Sequence, residues 1–390
     1  MSTALILVAL LVAIVAIYLW KRPSAPPAPA PRDHGAPPAP PAARAAAQQR
    51  IVDNPLAPQP LAATSPPVVP ERPLPTLLAD FQLTSADTLP PAQREALQAE
   101  LRRIPRPPRS LHRLISPEFI ASASSSEMSE LVLGEPVIAA KVLSTVNSPL
   151  YGLQKTVTSI GQAITFLGMN TVRGISLQYM LDESFKADNA DTRRAFEQLW
   201  TASALASELC TRLAKQLPLS EAGALVTQVV LSFVGHMAVA ALAQGRGRPE
   251  MTDLSLDLPQ RYRAQQATLG LCAPEIGRLL MREWELPSSI VEGVGQIEQV
   301  LMAPVSQARD AAEAPRQAVA YLCARLGERM ACGGLDTLAG IDLAQDERAE
   351  LHHLQGYLRS PRLATLGSLL TTPDNVASVS AFLASRTQAT

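Results

Sequence analysis

The chain is poor in most of the groups that carry chemistry. Aromatic residues make up 4% of its 390 positions, which argues against a β-sandwich built on aromatic strands. Charged residues make up 18%, below the quarter or so that is usual in globular proteins, while alanine and leucine are abundant; that mix favours helix. The formal net charge of −1 supplies no basic field, so no nucleic-acid partner is expected. The four cysteines, Cys210, Cys272, Cys323 and Cys332, form no C-x-x-C pair and match no zinc spacing, so reduced buried thiols are expected. There is no G-x-S-x-G elbow, no P-loop and no G-x-G-x-x-G after a strand. No segment alternates apolar and polar residues as a strand would, and no repeat of fixed period is evident.

What is present begins with an unbroken apolar run over residues 4–20, from Ala4 to Trp20, followed by Lys21-Arg22. Its length is at the short end for a membrane span. Tyr18 and Trp20 stand where an aromatic belt would lie, just before the positive charges. A cleaved signal peptide would carry its basic residues ahead of the apolar run, so an uncleaved anchor over 1–22 is the expectation. The positive-inside rule then puts the N-terminus outside and everything after Lys21 in the cytoplasm, a single-pass arrangement. Residues 23–88 are rich in proline and alanine and read as a disordered tether, because such a segment buries too little apolar surface to offset its ordering entropy. Its proline-rich part, from Pro23 to about Pro75, would reach roughly 160 Å in a fully extended polyproline form.

From residue 89 onward the apolar spacing is helical almost throughout. Helices are expected near 93–103, from Ser124 to 133, over 196–213, 221–243, 274–284 and 288–302, and in a C-terminal extension, 303–390, near 315–329, 346–358 and 373–386. Ser124 with Glu127, and Ser159 with Gln162, have the spacing of capping boxes. Pro136 suits a first helical position. Asn147, with Ser148 and Pro149, suits a helix end with a left-handed cap, and Gly168 suits a positive-φ cap. Asn170 is expected to cap a helix running to Leu181. The fold class is all-α: an irregular multi-helix bundle over 89–302, preceded by one transmembrane helix and the linker.

Residues 135–168 read EPVIAAKVLSTVNSPLYGLQKTVTSIGQAITFLG. Glu135-Pro136, Asn147-Ser148, Tyr151-Gly152, Ser159-Ile160, Gln162-Ala163-Ile164 and Leu167-Gly168, with Trp200, Ser203, Gly277 and Trp284-Glu285-Leu286-Pro287, occur together and in order. This set closely resembles the HDOD domain, a bacterial signalling module related to HD phosphohydrolases. The resemblance implies a helical bundle with two lobes and, with the expected anchor, a place in a bacterial inner membrane with the N-terminus periplasmic and the C-terminal domain cytoplasmic. It also implies where the metal ligands of a hydrolase would stand, and here those positions hold Ala202, Ser232-Phe233, Ala273 and the neighbourhood of Gln296. Alanine and phenylalanine cannot bind a metal, and serine is a poor substitute. No catalytic residue, metal or cofactor is therefore expected.

The family-motif residues Pro136, Asn147, Ser148, Gly152, Ser159, Gln162, Gly168, Trp200, Trp284 and Pro287 are expected to be structural or to meet a partner. The resemblance implies a non-catalytic signalling adaptor for a partner protein such as a diguanylate cyclase, a phosphodiesterase or a sensor kinase. Two alternatives stay open: a structural scaffold for an envelope or motility assembly, and a pseudo-hydrolase that binds a nucleotide through Ser232, Gln296 and His236. The basic run Arg102, Arg103, Arg106, Arg109 and Arg113 reads first as cations near a helix C-terminus, and second as a surface for an anionic membrane.

Overall fold

The structure is a computed structural model that describes residues 73–387. The expected anchor over 4–20, and residues 23–72 of the tether expected over 23–88, lie outside the described residues; its last part, 73–88, is ordered and hydrogen-bonded to the bundle rather than a disordered linker. Those described are helical, with no strand among them, as the sequence pattern predicts. One of their helices, Ala222–Leu242, is long and apolar enough to cross a membrane, but 83% of its apolar window is buried inside the protein.

Residues 73–88 form a strap across the bundle, with a short helix Thr76–Ala79 and a 3₁₀ turn Ala86–Thr88. The backbone N–H of Thr84 donates to Gln266 Oε1 at 3.0 Å, and Gln266 Nε2 donates to the Gln82 carbonyl at 3.1 Å. Helix α1 (Pro91–Leu101) follows, then α2 (Arg109–Ile115), α3 (Pro117–Ser122), α4 (Ser125–Leu133), α5 (Pro136–Val146), α6 (Ile160–Leu167) and α7 (Met169–Asp182). These make the first lobe. The second begins with the long α8 (Ala190–Gln216) and α9 (Ala222–Leu242), then α10 (Leu258–Leu269), α11 (Ala273–Glu283) and α12 (Ser288–Ile297). The C-terminal region adds α13 (Ala314–Ala331) and α14 (Pro373–Thr387).

Helix α9 is apolar on every side because every side is covered: α7, α8, α11, α12 and α13 all pack on it. Two glycines set how closely α9 and α11 approach. A Cβ on Gly235 would overlap the Ala273 carbonyl, and one on Gly277 would stand 2.9 Å from the Gly235 Cα. Helix α13 belongs to the same core, lying along α8 and touching α9 and α12. Its residues 318–324 are all buried.

Local signals account for most helix ends. The Ser124 box is complete, with Ser124 Oγ accepting from Glu127 N at 3.2 Å and Glu127 Oε2 accepting from Ser124 N at 2.8 Å. Ser159 Oγ accepts from Gln162 N at 3.2 Å, but Gln162 Oε1 accepts from Thr158 N rather than from Ser159 N, so this box is closed one residue early. Pro136 occupies the first turn of α5. Gly168 has φ of 87°, the positive value expected of it.

Three expectations are corrected. Asn147 ends α5 with φ of −84°, not in the left-handed region, because its side chain has a different task. Its Nδ2 donates to the Leu143 and Val157 carbonyls at 2.9 and 2.8 Å, and its Oδ1 accepts from Val157 N at 2.7 Å. The amide thus staples the loop after α5 back onto the helix end. Asn170 is not the cap of α7; Gly168 is, and Asn170 Oδ1 instead accepts from Arg173 Nη1 at 3.1 Å. The helix expected over 346–358 is a 3₁₀ turn, Ala349–Leu351, and a short helix, Leu354–Tyr357.

Candidate functional site

The positions where a hydrolase would hold metal ligands lie on α8, α9, α11 and α12, around the point where α13 crosses the bundle. Ala202, Phe233 and Ala273 are at most 1% exposed. Helix α13 closes the space over Ala202: a Cβ on Gly327 would overlap the Ala202 carbonyl oxygen and stand 3.0 Å from the Ala206 Cβ. Ser232 Oγ donates back to the Val229 carbonyl at 2.7 Å, as a helix serine does when no ligand takes its proton. Gln296 Oε1 accepts from Gln317 Nε2 of α13 at 2.9 Å. No group of three His, Cys, Asp or Glu side chains that could hold a metal occurs among the described residues.

Sequence reading missed what stands beside these positions. A buried ionic cluster joins α9, α10, α13, Glu298 and Glu350. Arg261 and Arg325 both reach Glu328; Arg325 Nη1 lies 3.0 Å from Glu328 Oε2, and the Arg261 pair is shorter still. Arg325 Nη2 also lies 3.5 Å from Glu298 Oε1. Glu350 Oε2 accepts from Leu258 N at 3.0 Å, and its carbonyl accepts from Tyr321 Oη at 2.8 Å. The signal was weak because the five charged residues are dispersed over some ninety positions, three within helices, Glu298 at a helix end and Glu350 in a 3₁₀ turn.

The charges in the cluster follow from burial and pairing. The two guanidinium groups hold the Glu328 carboxyl at about 2, against the cost of burial. Burial raises Glu298 and Glu350 above the usual carboxylate range, although Arg325 opposes the rise in both. Burial drops His236 to about 3, so its imidazole is neutral near pH 7. At 3.8 Å from Glu328 Oε1, His236 is therefore a packed neighbour rather than an ion-pair partner; its ring lies 6.0 Å from that of Tyr262 and 6.1 Å from that of Phe233. Two arginines against one firmly ionised carboxylate require one further negative charge, which Glu298 and Glu350 are placed to supply. The cluster ties α13 to the bundle, and its polar atoms face one another in the interior. Ser232, Gln296 and His236 are thus engaged with Val229, Gln317 and the cluster. A cleft of about 320 Å³ lies elsewhere, between Ala86, Arg94 and Gln98 on one side and Arg278 and Arg282 of α11 on the other.

The motif residues divide between the lobes. Pro136, Asn147, Ser148, Gly152, Ser159, Gln162 and Gly168 build the turns around α5 and α6. Gly152 has φ of 56°, which favours glycine there. Trp200 and Trp284, 84 positions apart, meet at Phe185, with ring centroids 6.4 and 5.9 Å from it. Pro287 precedes the first residue of α12. Glu283 and Glu285 meet part of the basic run: Arg102 lies 3.4 Å from Glu283, and Arg106 3.1 Å from Glu285. Those arginines thus have internal partners, at exposed positions where each pair is worth about 0–1 kcal/mol.

Of the large apolar side chains that remain exposed, three belong to the motif lobe: Leu133, Val137 and Phe166, each more than half exposed. They stand on α4, α5 and α6, which pack against one another. Lys141 on α5 is held by Asp182 and Glu183 at 3.3 and 3.1 Å.

Comparison with known proteins gives a family match and several structural neighbours. The family model of the HDOD domain matches residues 104–300, half of the chain. An HDOD domain protein of unknown function from Geobacter sulfurreducens is 15% identical, with 74% of this chain and 98% of that one covered at a TM-score of 0.45. A candidate phosphohydrolase from Shewanella amazonensis SB2B is 17% identical, with 74% and 97% covered at a TM-score of 0.48. A candidate signal transduction protein from Marinobacter aquaeolei VT8 is 18% identical, with 75% and 66% covered at a TM-score of 0.46. No curated protein matches the chain.

Proposed function

Because the chain belongs to the HDOD family, we propose that it is a membrane-tethered, non-catalytic adaptor that holds a partner protein in a signal-transduction pathway. The observation that carries this reading is the concentration of exposed apolar side chains, Leu133, Val137 and Phe166, on the packed helices α4, α5 and α6. Large apolar groups left in water on neighbouring helices are candidates for an interaction surface. The absence of catalysis is supported by the side chains at the ancestral ligand positions, where Ala202, Phe233 and Ala273 offer no donor atom to a metal. The tether is supported by the apolar run that ends at Trp20, and by Lys21-Arg22 after it.

The partner is a protein that handles a second messenger or a phosphoryl signal: a diguanylate cyclase, a phosphodiesterase or a sensor kinase. The test is affinity capture of the full-length protein from its own membranes, comparing the wild type with Val137→Asp and Phe166→Asp. Both substitutions fall on exposed side chains, so the fold should survive, and melting temperature checks that it does. One such enzyme should be enriched with the wild type and lost with both variants. Equal recovery with all three would remove this face from the function.

A further inference from the structure

We propose that Arg173 and the first turn of α7 form a binding site for a phosphate-sized oxyanion, at the seam between the two lobes. The inference does not rest on the adaptor reading. Arg173 is 3% exposed, yet no carboxylate among the described residues pairs with it. Its one hydrogen bond goes to a neutral acceptor, Asn170 Oδ1, and its buried Nε has no acceptor at all. Burial pushes the guanidinium down from its ordinary value, and no neighbouring charge opposes the shift. A buried cation with no anion is costly, and such groups are normally paired.

The surroundings add positive potential instead of cancelling it. Side chains on a helix lean toward its N-terminus, and the bond to Asn170 shows that Arg173 does so. It therefore stands beside the first turn of α7, whose leading N–H groups have no acceptor within the helix and no capping side chain. The same guanidinium lies over the start of α9, where a Cβ on Gly223 would stand 2.5 Å from Arg173 Nη1. That helix start also lacks a side-chain cap. Glu221, just ahead of the start of α9, turns its carboxylate to Arg316 at 3.2 Å. On the open side, Lys215 Nζ would be 3.9 Å from a Cβ on Gly168, and Lys215 has no ion-pair partner among the described residues. Two helix N-termini, a buried guanidinium and a free ammonium thus converge where Gly168, Met169 and Asn170 are half-buried and reachable from solvent. Backbone N–H groups and a guanidinium are the donors that fit a phosphoryl oxygen set.

The test uses the full-length protein in detergent, with inorganic phosphate as the probe and sodium chloride at matched ionic strength as the control. Phosphate should raise the melting temperature of the wild type by about 2 °C once it exceeds its Kd tenfold. Arg173→Met should abolish the rise. Lys215→Ala, at an exposed position that leaves the fold alone, should weaken phosphate severalfold and decides the matter if Arg173→Met does not fold. A nucleoside monophosphate run in parallel distinguishes the source. An equal shift assigns the site to the phosphoryl group alone. A larger shift that Phe166→Ala reduces assigns it to a nucleotide whose base lies on that exposed ring. No phosphate-specific shift in the wild type, or a shift unchanged by either basic-residue substitution, overturns the proposal.

Discussion

Gly327 of α13 lies so close to Ala202 of α8 that a single methyl group on the glycine would overlap the alanine carbonyl. The two helices run together along the middle of the bundle, and this is their tightest described glycine contact. The position that the resemblance assigns to a hydrolase's ligand thus holds an alanine, and the backbone of a second helix packs against its carbonyl. Gly327→Ala should cost about 1–3 kcal/mol, because the helix must shift to relieve the overlap. Gly367→Ala is the control: nothing stands within 4 Å of its Cβ position, in the short helix Leu366–Leu370. There the change should be neutral or should stabilise by up to about 1 kcal/mol. Chemical denaturation of both variants checks the contrast, and equal effects would mean that α13 is not packed this tightly.

The buried charges make a second contrast. Glu328 receives both Arg261 and Arg325, so Glu328→Gln leaves two guanidinium groups facing a neutral amide. A loss of about 3–5 kcal/mol is expected, the usual result of removing one partner from a buried pair. Glu298 is different: burial already favours its neutral form, and its Oε2 has no hydrogen-bond partner. Glu298→Gln should therefore cost no more than about 1 kcal/mol, within the range of a modest hydrogen-bond change. Urea unfolding of the two variants separates them. A large loss for Glu298→Gln would show that Glu298, and not Glu350, carries the balancing negative charge.

Acid should destabilise the protein in two steps. His236 binds a proton only near pH 3 when folded, and near its ordinary 6.5 when unfolded. Between those values the unfolded state binds more protons, so stability falls as the pH drops. Glu328 adds a later loss. Its folded value of about 2 lies below its ordinary 4.5, so its contribution is complete above 4.5 and disappears as the pH falls toward 2. His236→Phe, which keeps a ring against Phe233 and Tyr262, should flatten the step between pH 6.5 and 4 and leave the lower one. His353, lowered by burial and by His352, keeps a small slope of the same sign. Melting temperature against pH for the two proteins reads this directly, and superimposable curves would refute the assignment to His236.

These contrasts show which parts of the molecule could be read in the sequence. Helices announced by a cap and an apolar stripe, such as the one after Ser124 and the one after Pro136, follow from local chemistry and occur where expected. The staple made by Asn147 was not legible as such, because its partner is Val157 and the loop path decides that contact. The role of Asn170 was misread for a similar reason: Gly168, two residues earlier, already provides the turn. At the candidate site, the residues expected to replace metal ligands could be named from the sequence. Its closure by α13 could not, because Gly327 and Ala202 are 125 positions apart and a glycine inside a helix gives no sign of what it faces. The ionic cluster was hidden in the same way. Its charges come from three helix positions, a helix end and a 3₁₀ turn, and no local pattern links them.

If closure matters as much as ligand loss, restoring the ligands should not restore the metal. Ala202→His and Ala273→His return imidazoles to two of the ancestral positions, and Phe233→Asp returns a carboxylate to a third. Each of these sites is almost wholly buried, and two touch glycine contacts where backbone already meets backbone: Ala202 against Gly327, and Ala273 against Gly235. An imidazole at 202 must displace α13, and the Arg261–Glu328–Arg325 cluster resists that displacement. The triple variant should therefore lose several kcal/mol of stability through overpacking and a buried carboxylate, with no gain from added manganese or zinc. Melting temperature with and without each metal tests this. A metal-dependent rise of several degrees, expected whenever an ion binds only the folded state, would show instead that α13 yields and that the missing ligands alone separate this bundle from a metal-binding one.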